Sequence, residues 1–537
     1  MLFNSSVFLL YFLPVVLAGY LAWTGFGRRG AAQAWLTVAS LFFYGWWNPR
    51  YLFLLLASVV VNYLLGLALS RHRSPLLLAG GVAFNVSLLG YFKYTNFFVQ
   101  ALDDVLGFNW VVSSIVLPLA ISFYTFQQIA YLWDVHDGVD VEKGPTRYCF
   151  FVTFFPQLIA GPIVHHREVF SQLDDPDRVR LRWQLLAIGA TVFFIGLAKK
   201  VEIADRLSLL ASPIFDAAAS GSAVGFVDAW AGALAYSLQL YFDFSGYTDM
   251  AIGLAMMFGI RLPQNFNSPY KASSVIDFWS RWHMTLTRFL TAYVYNPIVV
   301  AVTRARARRK LPLPRRGRMS PGTWVALVAY PTVLTMFVSG VWHGAGWQFI
   351  VFGLLHGLYL CVNHAWRALK ARKAIPESRR PALALAGSVA LTFLCVVVAL
   401  VFFRAQSVGA ATSLLAGMAG AADVAAVPST IEFTVRHWLQ DRFGLVISPL
   451  RYTTRVELLV IALMLAVVWT LPNTQQWLHR YPTALQTPPQ PNWVQRRFPA
   501  LAWRPSIVWG ILTGWLGFFI VMRACSRAPT EFLYFQF

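Results

Sequence analysis

Leu383 to Phe403 reads LALAGSVALTFLCVVVALVFF, twenty-one residues without a formal charge. At about 1.5 Å per residue, a helix of that length reaches roughly 31 Å, the depth of a bilayer's hydrocarbon core. Runs of the same kind, roughly 18 to 25 residues long, recur from one end of the 537-residue chain to the other. Over the whole sequence 57% of residues are hydrophobic and 12% charged, and the mean hydropathy is +0.55, a composition that cannot cover itself with a water-soluble surface. The runs are continuously apolar instead of alternating with period two, so they predict helices and not a β-barrel. The expected fold class is an all-α integral membrane protein.

Working outward from that span, Trp324 to Trp342 and Trp347 to Trp366 predict a helical pair joined at Gly344-Ala345-Gly346. Further spans are expected near 6–25, 32–47, 51–69, 76–98, 111–133, 184–203, 226–244, 248–262, 456–471 and 506–522, for a total of about twelve. Phe150 to Val164 is too short to cross and is interrupted by Pro156 and by Gly161-Pro162, the pattern of a broken or re-entrant helix lining a cavity. From Ser273 to Leu290 the pattern becomes that of an amphipathic helix, with Ile276, Trp279, Met284 and Leu286 near one side. Residues 405–454 read as an external connection and the Pro-rich stretch Thr483 to Arg497 as a loop. No Lys or Arg precedes the first run, Ser6 to Trp23, and no clear small-residue cleavage site follows it, so it reads as a mature span and not a secretory signal.

The 44 Lys and Arg against 23 Asp and Glu give a net charge of +21, but the cations cluster at the ends of apolar runs. Arg28 and Arg29 follow the first span and Arg71 and Arg73 the third, which places the N-terminus in the periplasm by the positive-inside rule. Arg304 to Arg318 and Arg367 to Arg380 are then cytoplasmic blocks facing anionic lipid. Nucleic acid is not an expected partner, because these blocks lack the interleaved stacking aromatics of such a groove. Cys149, Cys361, Cys395 and Cys525 lie far apart and mostly in or beside apolar runs, indicating neither a disulfide framework nor a metal site.

Three polar constellations stand where burial of apolar surface alone would not put them. In Trp342-His343-Gly344 an imidazole falls at the junction of two apolar helices. A histidine held at membrane depth is expected to be uncharged and able to accept a proton, although an interfacial histidine between tryptophans is the alternative. In Asp277-Phe278-Trp279-Ser280-Arg281-Trp282-His283 the acid and guanidinium are at i and i+4 and can pair on one face, as many surface pairs do; His283 points elsewhere. The third is Tyr241-Phe242-Asp243-Phe244-Ser245-Gly246-Tyr247-Thr248-Asp249, where Gly246 is expected to break the helix and each carboxylate needs a partner or a water-lined cavity. A structural role is the favoured reading for Asp243 and Asp249, with substrate contact second. His165 and His166 read as cytoplasmic-end residues; His356, His364, His437 and His479 read as packing or interface residues. A P-loop, a dinucleotide glycine fingerprint, His-Glu-x-x-His and Gly-x-Ser-x-Gly are all absent, so histidine-based acyl transfer fits what remains.

At these residues the chain resembles the membrane-bound O-acyltransferase (MBOAT) family, and within it the alginate O-acetylation branch. The resemblance rests on Gly90-Tyr91-Phe92-Lys93-Tyr94 with Asn96-Phe97, Ile121 to Tyr124, Phe154 to Pro162, Leu240 to Ile252, Asn265 to Tyr270, Phe278 to His283, Trp342-His343-Gly344 and the terminal Phe532 to Phe537. After Tyr293 to Pro297, where relatives commonly show Gly-Gly-Asn-Arg, this chain departs and runs through Ile298 to Thr303 into the basic block.

The resemblance implies an MBOAT fold with re-entrant and amphipathic segments around a central funnel. The whole chain would form one membrane domain, with peripheral helices over about 1–110, a catalytic core over about 111–405 and C-terminal helices over about 406–537. It also implies His343 as the catalytic histidine, His283 as its companion, and Trp342, Trp282, Arg281, Asp277, Tyr241, Asp243, Ser245 and Asp249 as substrate or funnel candidates. Acetyl-CoA would be a cytoplasmic donor substrate rather than a bound cofactor, and no metal is expected. The acceptor would be an exported polysaccharide such as alginate, reached directly or through periplasmic esterase-like partner proteins, from the bacterial inner membrane. A transporter or flippase, suggested by the broken segments around Pro156, and a non-catalytic scaffold are the rival readings.

Overall fold

The computed structural model describes residues 1–107, 115–175, 183–314, 319–373, 381–421, 452–486 and 490–533. The described chain is helical, with no strand. In order, the principal helices are α1 Val7–Gly25, α2 Arg29–Gly45, α3 Pro49–His72, α4 Pro75–Leu106, α5 Ile121–His136, α6 Pro145–Thr153, α7 Phe155–Leu158, α8 His166–Asp174 and α9 Trp183–Ala198. They continue as α10 Asp205–Ala219, α11 Phe226–Met257, α12 Val275–Trp279, α13 Met284–Leu290, α14 Asn296–Arg308, α15 Pro321–His343 and α16 Trp347–Lys373. The last are α17 Pro381–Arg404, α18 Val408–Met418, α19 Arg455–Thr470 and α20 Ile507–Cys525.

Among the described residues, α1, α3, α4, α15, α16, α17 and α20 are long and apolar enough to cross a bilayer. Their ends follow local rules. Asn48 caps α3 and Ser74 caps α4, each followed by a proline whose missing N–H would have no helical acceptor. On α20 the exposed residues Ile507, Ile511, Trp515 and Phe518 fall on one face, which only lipid could solvate. The expected spans 32–47, 184–203 and 456–471 are helices α2, α9 and α19 of 16 or 17 residues, α9 continuing through a π-turn at Lys199–Ala204.

Four local expectations change. The runs 226–244 and 248–262 are one helix, α11, and Gly246 does not break it. The missing Cβ is needed instead for a close approach: one built there would lie 2.7 Å from the Gly196 carbonyl oxygen of α9. The stretch Ser273 to Leu290 is not one amphipathic helix but α12 and α13, split at His283. The basic block, whose charge suggests a loop, is instead helical in its first part, with Arg304, Arg306 and Arg308 in the last turns of α14, where cations suit the helix dipole. Of the span expected over 111–133, residues 111–114 lie outside the described residues, 115–120 are not helical, and the helix starts at Ile121. Arg315, Arg316, Arg318, Arg379, Arg380, His437, most of the 405–454 connection and Tyr534 to Phe537 lie outside the described residues. The break expected near Pro156 is present: α6 ends at Thr153 and α7 turns out at Ile159 before Gly161-Pro162, all buried.

The chain forms two compact units that interleave in sequence: residues 1–201, 243–265 and 472–536, and residues 202–242, 266–471 and 537. In the first, α9 and α11 meet at glycines, with a Cβ on Gly253 falling 2.5 Å from the Gly189 carbonyl oxygen. In the second, α15 and α16 form the corresponding pair. A Cβ on Gly340 would lie 2.4 Å from the Phe349 carbonyl oxygen, and one on Gly353 2.4 Å from that of Met336. Small residues at such crossings let backbones touch where lipid provides no hydrophobic drive for association.

Candidate active site

His343 is the last residue of α15, immediately before the extended Gly344 that turns the chain into α16. Only 4% of it is exposed. Its ring is edge-on to Phe352 of α16 at 5.8 Å and to Phe403 of α17 at 5.1 Å, and 5.0 Å from its neighbour Trp342. Three helices therefore close an aromatic box around one imidazole. Gly344 leaves room for Phe349, which packs on Phe403 at 5.4 Å, because a Cβ there would strike the Phe349 ring.

His283 reaches the same tryptophan from another element. It is fully buried, and its ring centroid is 6.1 Å from that of Trp342. The two histidines thus flank one indole. His283 sits between α12 and α13 with φ +43° and ψ +52°, a left-handed conformation uncommon for a residue with a bulky side chain. The turn is held from below: Asn267 N–H donates to the Arg281 carbonyl at 2.9 Å, and Thr287 Oγ1 donates to the Trp279 carbonyl at 3.1 Å.

Trp282 and Tyr241 lie on a common aromatic wall. Trp282 stacks on Phe278 at 5.6 Å and meets Phe266 edge-on at 5.0 Å, while Tyr241 contacts Tyr270 at 5.3 Å. Asp277 and Arg281 pair as expected, Nε to Oδ1 at 2.7 Å, and both are partly exposed. Asp277 also accepts from Ser273 N–H at the start of α12, and its own N–H donates to Ser274 Oγ, so these bonds build the helix end.

Asp243, Ser245 and Asp249 belong to the other compact unit. There Asp243 pairs with Lys200 at 2.7 Å and Asp249 with Lys199 at 2.6 Å, all four largely buried. Thr474 and Gln475 complete the acceptor sites of Asp249 at 2.7 and 3.2 Å. Asp243 accepts Leu533 N–H at 3.1 Å, and Lys200 donates to the Glu531 carbonyl at 3.0 Å. A buried carboxylate is tolerable only when paired and hydrogen-bonded in this way. Ser245 is buried on the same helix.

The residue that the sequence under-reads is His356. It is 1% exposed, its Nδ1 accepts the Trp279 indole N–H at 3.3 Å, and its ring lies 4.7 Å from Phe352, the aromatic ring that also packs on His343. Its spacing of thirteen from His343 across a Gly-Ala-Gly turn is the available signal, since the turn folds α16 back along α15. The partner lysines were legible too, as the only charged pair in the apolar tract Trp183 to Val201. Among the described residues no group of three or more His, Cys, Asp or Glu is arranged to hold a metal ion.

The described chain is thus an all-α protein with several helices long and apolar enough to cross a membrane, and it buries His343 and His283 on either side of Trp342. The chain belongs to the membrane-bound O-acyltransferase family: the family's model matches residues 145–311, a range that includes His283 and ends before His343. It is 40% identical over 452 residues to a peptidoglycan O-acetyltransferase of Helicobacter pylori, covering 78% of this chain and 80% of that protein. It is 37% identical over 429 residues to the probable alginate O-acetylase AlgI of Pseudomonas aeruginosa, with 78% and 75% covered. Similarity extends at 30% identity over 263 residues to a teichoic acid D-alanyltransferase of Bacillus subtilis. The protein is accordingly a multi-pass membrane O-acyltransferase.

Proposed function

We propose that the protein passes an acetyl group from a cytoplasmic thioester donor, acetyl-CoA, across the bacterial inner membrane for O-acetylation of an exported glycan. The observation that carries this reading is the pair of buried imidazoles flanking Trp342. His343 accepts the proton of the acceptor hydroxyl as its oxygen attacks the thioester carbonyl. The carbon–sulfur bond then breaks, and the thiolate leaves to be protonated as the free thiol. His283 orients the donor or stabilises charge developing on the carbonyl oxygen. The acceptor is an envelope or exported polysaccharide such as alginate, served directly or through a periplasmic esterase-like protein. Peptidoglycan is the second acceptor, favoured by the name of the relative that is 40% identical.

Purified protein in vesicles loaded with labelled acetyl-CoA tests the reaction. Label should reach an external glycan hydroxyl, and His343→Ala should lower transfer by about 10² or more while membrane insertion is unchanged. Wild-type transfer by that variant would remove His343 from the mechanism. Loss of acetyl groups from the sacculus, or from the secreted polysaccharide, on deletion of the gene separates the two acceptors.

A further inference from the structure

The turn at His283 is held from two sides through one residue, Trp279. Its carbonyl accepts the Thr287 hydroxyl at 3.1 Å, which ties the turn to α13. Its indole N–H donates to His356 Nδ1 at 3.3 Å, with the two rings edge-on at 5.1 Å, which ties the turn to α16. Two further bonds run between α16 and the α12 segment: Ile276 N–H donates to Asn363 Oδ1 at 3.4 Å, and Arg367 Nη2 donates to Ser274 Oγ at 3.1 Å. His356, Asn363 and Arg367 follow one another at intervals of seven and four, so they share one face of α16. Along that face Arg367 is exposed, Asn363 half-buried and His356 buried.

The innermost of the three contacts also reaches the other histidine. One helical turn before His356, Phe352 packs against it at 4.7 Å and lies edge-on to His343 at 5.8 Å. His356 therefore touches the turn that carries His283 on one side and a wall of the box around His343 on the other. The bond to Trp279 also fixes its chemistry. An indole N–H can only donate, so Nδ1 must offer a lone pair, and the hydrogen of the neutral ring is on Nε2. A proton taken up at Nδ1 would break the bond, so the position calls for an acceptor.

We propose that His356 is a positioning residue for acyl transfer: by accepting the Trp279 N–H it sets the His283 turn against α16, whose Phe352 packs on His343, and so holds the two histidines in register across Trp342. It acts through these neighbours and takes no proton from the acceptor. The proposal rests on the roles given above to His343 and His283. His283 needs such support because it lies between helices in a left-handed conformation, so the direction of its ring depends on what holds the turn. A reacting group misplaced by about 1 Å can cost about 10² in rate, which is the scale on which one such bond matters.

The test is transfer from labelled acetyl-CoA by the full-length protein in vesicles, with alginate and glycan strands from purified sacculi outside as the acceptor probes. His356→Phe keeps a ring but deletes the acceptor, and should slow transfer by about tenfold or more. His356→Asn, whose amide oxygen stands close to the position of Nδ1, should recover most of that loss and keep the wild-type pH profile. Trp279→Phe removes the donor of the same bond. It should be slow as well, and the double variant with His356→Phe should be no slower than the slower single variant. Tm values above the assay temperature show that each variant is folded, and if His356→Phe fails that criterion, Trp279→Phe and the rescue by His356→Asn carry the comparison. Wild-type rates in His356→Phe or Trp279→Phe, a His356→Asn protein as slow as His356→Phe, losses that multiply in the double variant, or a pH limb missing from His356→Asn would each overturn the proposal. His343→Ala is the control for the reading beneath it. If that variant transfers at the wild-type rate, both fall; if it is slow while His356→Phe is not, only the role of His356 falls.

Discussion

His283 combines a left-handed backbone with a buried imidazole, and the two properties can be tested separately. Asparagine adopts that conformation with less strain than most residues but carries no imidazole. His283→Asn should therefore stay folded, with a Tm close to wild type, yet lose at least about tenfold in acyl transfer if the ring orients the donor or stabilises charge. An active His283→Asn protein would show that the position is chosen for its backbone alone. His166 offers a second single-residue test, at a site outside the membrane spans. Burial pushes its imidazole down to about 4, against smaller effects of Asp134, which raises it, and of His165 and Arg167, which lower it further. The nearest acid oxygen, Asp134 Oδ2, is 3.6 Å from Nδ1. Because the folded state binds this proton less readily than the unfolded chain, stability falls as pH drops below about 6.5 and continues to fall toward pH 4. The loss is about 2 kcal/mol by pH 5. Thermal unfolding of detergent-solubilised protein from pH 7.5 to 5 should show that decline, and His166→Phe should flatten it. The sequence placed His166 at a cytoplasmic helix end; its burial against Tyr131 and Phe151 depends on the fold of the whole unit and is not written in its neighbours.

At the scale of elements, hydropathy and punctuation located the long helices well. The Asn48-Pro49 and Ser74-Pro75 starts and the Gly344-Ala345-Gly346 turn all fall where their residue types required. What hydropathy misread was glycine. In a soluble helix Gly246 would be a weak point; in α11 it is a contact surface, a distinction that appears only once α9 is in place. The split of α12 from α13 was equally hidden, since Asp277 and Arg281 keep their i, i+4 pairing within one turn of the break. The α15/α16 pair gives this a measurable form. Gly353→Val puts carbon 2.4 Å from the Met336 carbonyl oxygen and must separate the helix that ends at His343 from its neighbour. Stability should fall by about 2 kcal/mol, with activity falling alongside. Gly387→Ala on α17, where nothing lies within 4 Å, should leave the Tm unchanged. Equal Tm values for the two variants would rule out close helix contact as the reason for these glycines.

At the scale of the molecule, the sequence announced an all-α membrane protein and, through its motifs, the acyltransferase family. It could not say how residues hundreds of positions apart become partners. Lys200, in the π-turn after α9, and Asp243, in α11, pair with each other, and their backbone partners are the distant ones: Glu531 lies 331 positions from Lys200 and Leu533 290 from Asp243. Phe532 packs on Phe244 and Tyr247 at 5.3 and 4.7 Å, and Asn4 donates to the Thr530 carbonyl at 3.1 Å. Lys200→Met should strand Asp243 as a buried uncompensated carboxylate and cost about 3 to 5 kcal/mol, whereas Lys200→Met with Asp243→Leu should recover much of it. If the single and double variants unfold at the same temperature, the pair is not the stabilising contact.

This clasp has a consequence for how the protein is made. A ribosome delivers Asp243 to the membrane 290 residues before Leu533, and Lys200 331 residues before Glu531. Until then two mid-chain ions wait with part of their hydrogen bonding unfilled. Insertion of the helices and completion of the fold are therefore separate events, and a nascent chain halted before its final segment would present the membrane quality-control proteases with a recognisably unfinished interior.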